Sequence, residues 1–215
     1  MTQAFISDQL LILVMLINFA LLSTSRLSFS VRMVAVQGVI LGILPPILSP
    51  VSVHLMDIMG GILAIKGVVI PRLISSAIKK AGINREDHPY LSFGATLFWG
   101  AIFTALAFWF SPKLPLANAH QGHLFVPASI ATLLTGFLLI TTRRKAISQV
   151  TGYLVLENGI FIFGLLLTEA MPVMVEAGAL LDLLVGIFVM GIVIGHISRE
   201  FGSLDTSSMT ALRER

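Results

Sequence analysis

The apolar residues of this 215-residue sequence fall into runs of roughly 18 to 25, each long enough to cross the ~30 Å hydrocarbon layer of a bilayer as a helix. Composition agrees with that reading. Hydrophobic residues make up 56% of the chain and charged residues 12%, about half the charge of an ordinary soluble domain. The mean hydropathy is +0.93. The expected fold class is therefore all-α and polytopic, with seven spans: Gln9 to Thr24, Met33 to Leu48, Ser52 to Ile78, Leu91 to Phe110, His123 to Thr141, Ala146 to Thr168 and Val173 to Ile197. The first run is read as a helix and not as a signal peptide, because "MTQAFISDQ" carries no Lys or Arg and no small-residue cleavage site follows. Pro45-Pro46 should break or kink the second span, and "SPKLPLANAHQGH" is the longest polar outer loop.

The basic residues orient the spans. All but two of the 14 Lys and Arg fall on alternate loops: Arg26 and Arg32, then Arg72 to Arg85, then Arg143 to Lys145, then Arg199 to Arg215. Positive loops stay cytoplasmic, so the N-terminus is expected outside and the C-terminus inside. The exceptions are Lys113, on an outer loop, and Lys66, inside a span. The pI of 9.6 follows from the inner loops and requires no nucleic acid. With no cysteine the chain offers no disulfide, thiolate metal site or iron–sulfur ligand, and no phosphate loop is present, so no cofactor and no metal is expected. His54, His120 and His123 sit at outer edges without an i,i+4 partner and make no metal site.

The residues left inside the bilayer are informative because each is costly there. Lys66 lies near the middle of span three, Glu157 near the middle of span six in "GYLVLENGIFIFGLLL", Asp182 about a turn outward of the middle of span seven, and Asp57 near the outer end of span three. A Lys or Asp at a helix centre costs about 2.5–3.5 kcal/mol on insertion scales, against about 0.3–0.6 gained per Leu, Ile, Val or Phe. Burial disfavours an ionised carboxylate unless a cation stands near. Glu157 is thus a candidate proton relay, together with Asp182 and Lys66, or else a neutral acid bonded to a neighbouring helix. The lysine stem is too short to snorkel from mid-depth. Asn158 is expected to bond between helices. His196, beside Arg199, and Asp57 are read first as interfacial or solvated groups and only secondarily as part of a polar route. "GVILG" at Gly38 to Gly42 and "GIVIG" at Gly191 to Gly195 are small-residue faces suited to close helix packing.

Several of these residues together carry a resemblance. The segment from "RRKAISQVTGYLVLENG" onward resembles the K subunit of respiratory complex I and the C subunit of multisubunit cation/proton antiporters. The whole chain resembles component E of hydrogenase-4, the membrane subunit of group 4 nickel–iron hydrogenase and formate hydrogenlyase complexes. The matching features are Arg26-Leu27-Ser28, Gln37, Ile65-Lys66 followed by Pro71, Gly152, Glu157-Asn158-Gly159, Asp182 and the closing "LDTSSMTAL". With Arg143-Arg144, Gly152 and Asn158 set on their K-subunit counterparts, the first buried glutamate of that family falls on Leu154, one helical turn before Glu157, and the second on Asp182. The resemblance implies two regions, a four-helix part over 1–122 and a K-like three-helix unit over 123–215. It also implies a multi-pass subunit of a prokaryotic inner membrane with no active site of its own, set between an antiporter-like subunit and a hydrogenase-anchoring subunit. In that setting the buried charges serve proton or cation translocation. The alternatives are a purely structural connector, or a subunit of a cation/proton antiporter. A self-sufficient ion carrier fits less well, since no inverted repeat is evident.

Overall fold

The computed structural model describes residues 2–48, 60, 63–114 and 124–167. Among these every regular element is helical. The order is α1 (Thr2–Ser23), α2 (Leu27–Leu48), a π-helical turn (Ile65–Val69) that runs directly into α3 (Ile70–Ala81), α4 (Phe93–Phe110) with a 3-10 turn (Ser111–Lys113), α5 (Phe125–Thr142) and α6 (Ala146–Leu167). Five helices, α1, α2, α4, α5 and α6, are long and apolar enough to cross a membrane. The chain is a multi-pass membrane protein. The expected seventh span, with Asp182 and His196, and the outer part of the third, with Asp57, lie outside the described residues, as do His54, His120 and His123.

Two expected boundaries move, the first being that α1 begins at Thr2 and not at Gln9. The second helix begins at Leu27 and not at Met33, and Arg32 is accommodated because its long side chain is exposed. Nor does that helix break at Pro45-Pro46; it continues to Leu48. The prolines stand near its end, where the missing N–H groups forfeit only the last backbone bonds.

Helices α1, α2, α5 and α6 form the buried part of the bundle. Leu11, Val14 and Leu22 of α1, Leu44 of α2, Ala128 of α5 and Val155 and Ile162 of α6 are fully buried. Helices α5 and α6 lie almost backbone to backbone. A Cβ added to Gly136 would come within 2.5 Å of the Leu156 nitrogen, and one on Gly159 within 2.6 Å of the Leu133 nitrogen. The opposite extreme is α4, apolar all round, with only Thr96, Gly100 and Ala107 buried and Phe98, Trp99 and Trp109 outward. Those aromatics suit lipid or another protein surface better than water.

Short carboxylate contacts fix the ends. Asp8 accepts the N–H of Leu124 just before α5 (3.1 Å). At the arginine-rich end, α3 stops at Gly82, whose φ of 64° lies in the left-handed region. The following loop then pairs with the α1–α2 turn: Leu27 N–H donates to Asn84 (3.2 Å) and Glu86 N–H to Ser25 (2.8 Å). Tyr90 N–H reaches Thr142 at the end of α5 (2.8 Å), and Ser92 caps α4 by accepting from Ala95 N–H (3.2 Å).

Candidate functional site, a buried charge pair on a row of amides

Glu157 stands in the middle of α6, where its own backbone offers no free donor, so any partner must come from another element. That partner is Lys66. Its Nζ lies 2.7 Å from Glu157 Oε1, with side-chain exposures of 15% and 3%. A cation thus stands beside the buried carboxylate, 91 residues away in the chain. Phe161, one turn further along α6, adds a ring face 5.5 Å from the ammonium. Glu157 Oε2 is buried and makes no hydrogen bond among the described residues.

Two local features bring Lys66 to this point. The first is the π-helical turn, which widens the helix by one residue per turn and re-aims the side chains it carries. The second is the "GVILG" face of α2. The position a Cβ would take on Gly38 is 3.0 Å from Lys66 Cβ, and on Gly42 it is 2.6 Å from Leu63 Cδ2. Both glycines hold the lysine-bearing segment close, so the small-residue stripe is a packing face, as its spacing suggested.

From Lys66 a row of neutral polar groups crosses the bundle. Lys66 Nζ is 3.5 Å from Asn158 Oδ1, Asn158 Nδ2 donates to Gln37 Oε1 (3.1 Å), Gln37 Nε2 to Asn18 Oδ1 (2.9 Å), and Asn18 Nδ2 to Thr132 Oγ1 (2.8 Å). Gln37, Asn18, Asn158 and Thr132 are all at most 3% exposed. Every amide turns its oxygen toward Lys66 and its nitrogen away, so the row presents the negative end of its dipoles to the ammonium. A cavity of about 10 Å³, room for about one water, borders Lys66, Leu154, Asn158 and Thr151.

A second cluster of charge sits at the arginine-rich end, and sequence reading passed over it. Glu86, 4% exposed, accepts from the backbone N–H of Arg144 (3.1 Å) and Lys145 (3.3 Å) and from the hydroxyl of Ser148 (2.5 Å). It thus caps the start of α6 from a distant loop. Arg143, read as one of the topogenic cations, is 3% exposed; it donates to the Leu22 carbonyl at the end of α1 (2.9 Å) and lies over the Phe93 ring. Its Nη1 is buried with no partner among the described residues. Burial pulls the guanidinium below its ordinary pKa, and the Glu86 carboxylate opposes that shift. The signal that could have revealed Glu86 is an acidic pair, Glu86-Asp87, inside an otherwise basic loop.

Of the expected site residues, the fold brings together Lys66, Glu157 and Asn158. It adds Gln37, Asn18 and Thr132, whose uncharged polar groups the count of charges had left out. Among the described residues no cluster of His, Asp or Glu suited to a metal ion occurs.

Comparison with known proteins finds relatives of the chain in Mycobacterium tuberculosis, Escherichia coli and Shigella flexneri. It is 33% identical over 189 residues to the "Uncharacterized protein Rv0085" of Mycobacterium tuberculosis, a match that spans 86% of this chain and 85% of that one. It is 29% identical over 150 residues to "Hydrogenase-4 component E" of Escherichia coli and of Shigella flexneri, covering 69% of this chain and 68% of theirs. No family model matches the chain, and no solved structure does. With a third of its residues shared along most of both sequences, the chain belongs to the family of the mycobacterial protein Rv0085, and hydrogenase-4 component E is its more distant relative.

Proposed function

We propose that the protein is a non-redox membrane subunit of a hydrogenase complex related to complex I, and that Lys66 and Glu157 contribute to its translocation of protons or cations. The relatives named hydrogenase-4 component E support the setting. In this reading seven spans run from an outer N-terminus to a cytoplasmic C-terminus in a prokaryotic inner membrane. The chain ties an antiporter-like subunit to the subunit that anchors the hydrogenase module. The four-helix region of residues 1–122 supplies Lys66 to the three-helix unit of residues 123–215, and Asp182 continues the polar route. No residue of this chain acts as a redox catalyst.

The observation that carries the reading is the 2.7 Å contact between Lys66 and Glu157 at mid-depth. Such a pair can exchange its inner proton, becoming amine and carboxylic acid, and either group can then trade with a neighbour; a packing contact alone would serve as well without charge. The amide row favours a second reading, a structural connector, because Asn18, Gln37 and Asn158 do not titrate. The two readings separate in one double variant. Replacing Lys66→Met and Glu157→Met together removes both charges and leaves no unpaired ion, a change that is often neutral for stability. The complex is expected to assemble, and proton translocation coupled to its turnover, measured in sealed vesicles, to be lost. Normal coupling in the assembled double variant would leave the connector reading.

A further inference from the structure

The charge pair and the Glu86 cluster lie on the same seam. Along the α2–α6 interface the cavity beside Lys66 is bordered by Thr151, Leu154 and Asn158. A second cavity, also about 10 Å³, is bordered by Glu86, Arg143, Ser148, Ser30 and again Thr151. Each has room for about one water. Thr151 is the residue they share. Ser148, Thr151 and Asn158 stand three and seven residues apart, which places them on one side of α6. The lower cavity is the more polar of the two, and it is bordered by Arg143, whose Nη1 is buried without a partner among the described residues. A buried polar group of that kind beside a water-sized space is ordinarily hydrated.

We infer that this seam is a proton path from the arginine-rich end of the molecule to the Lys66–Glu157 pair, with Glu86 as its uptake group and Thr151 as its middle station. The inference rests on the translocating role proposed for that pair. A proton from solvent adds to the Glu86 carboxylate, whose neighbour Ser148 then turns its hydroxyl to accept. The proton passes to a water in the lower cavity. Thr151 takes one proton from that water on Oγ1 and releases its own to a water in the upper cavity, exchanging its present bond to the Ile147 carbonyl (2.9 Å) as it turns. Lys66 gives a proton to Glu157 Oε1 and receives the one from the upper water. One proton has entered, Glu86 is again a carboxylate, Lys66 is still an ammonium, and Glu157 is a carboxylic acid. Arg143 borders the lower cavity beside Glu86, and the backbone N–H groups of Arg144 and Lys145 hold the carboxylate in place at the mouth of the path.

The test uses the assembled complex in sealed vesicles and compares four variants. Thr151→Val keeps the shape and removes the hydroxyl; coupled translocation is expected to fall about tenfold or more, on the scale of a lost proton-transfer group. Thr151→Ser restores a hydroxyl and is expected to restore translocation, which a loss of packing would not allow. Glu86→Gln still accepts the backbone N–H groups of α6 and is expected to fall like Thr151→Val. Should Thr151→Val fail to assemble, Glu86→Gln decides. Full translocation in Thr151→Val or Glu86→Gln, while the Lys66→Met and Glu157→Met double variant is inactive, overturns the path and leaves the charge pair standing. Full translocation in that double variant instead overturns the role of the pair itself.

Discussion

Glu86 and Glu157 are both nearly buried carboxylates set against the same helix, yet they are satisfied in opposite ways. Glu86 meets the start of α6 and takes the backbone N–H groups of Arg144 and Lys145, just ahead of the helix, together with the Ser148 hydroxyl in its first turn. Glu157 meets the middle, where every N–H is committed to the helix, and takes one lysine from another helix, with one oxygen left over. A helix end can neutralise an acid with its own dipole. A helix centre cannot, so an acid there depends on a partner that can be removed, moved or neutralised. The first acid is held by a helix terminus, and the second by a cation on another segment of the chain.

The contrast can be broken most forcefully at Lys66. Lys66→Met leaves Glu157 as a buried carboxylate without a cation, a loss of about 3–5 kcal/mol for a broken buried pair, and the folded subunit should accumulate poorly and unfold at lower temperature in detergent. Adding Glu157→Met should restore most of the loss. At the other end, Glu86→Ala removes three bonds and bares the start of α6, a smaller penalty of about 1–3 kcal/mol because water can reach the freed groups near the membrane surface. It should show as faster proteolysis within the loop of residues 82–92. The smallest effect belongs to Asp87, exposed and 2.8 Å from Lys145. That ammonium holds the Asp87 carboxyl below its ordinary value, so whatever the pair contributes is present above the usual carboxylate range and is lost as pH falls through the lower folded value. Asp87→Asn should leave the melting temperature at neutral pH unchanged within error.

The class of fold was legible because a helix across lipid needs little beyond length and apolarity, and five of the expected spans are found as helices of that kind. Lys66, Glu157 and Asn158 were legible by their cost. Their pairing was not, since no periodicity links positions 66 and 157 and the two meet only once the segment that carries Lys66 packs on α2. Asn18 escaped because one amide in a long apolar run barely alters its hydropathy, and Gln37 entered only through the resemblance, with no role assigned to it. Arg143 escaped for a different reason: a cation at a loop is already explained by topology, and only its packing against Leu22 and Phe93 shows that it is buried. Glu86 was hidden by the basic residues around it. The K-subunit comparison put a glutamate at position 154, and Leu154 now borders the cavity beside Lys66, one turn from the acid this chain carries.

The amide row has an arithmetic of its own. Asn158, Gln37 and Asn18 each accept on one side and donate on the other, so none can turn alone without setting two oxygens or two NH2 groups face to face. All three must turn, or none. The row therefore possesses two self-consistent senses, one facing Lys66 with an oxygen and one with an N–H, and these suit an ammonium and a neutral amine respectively. The Val14 carbonyl, 3.5 Å from Gln37 Nε2, weights the row toward the first. Thr132 can close either sense, because a hydroxyl accepts as readily as it donates. A single proton at Lys66 would thus be recorded as the direction of a whole line of dipoles, reaching from α6 through α2 and α1 to α5.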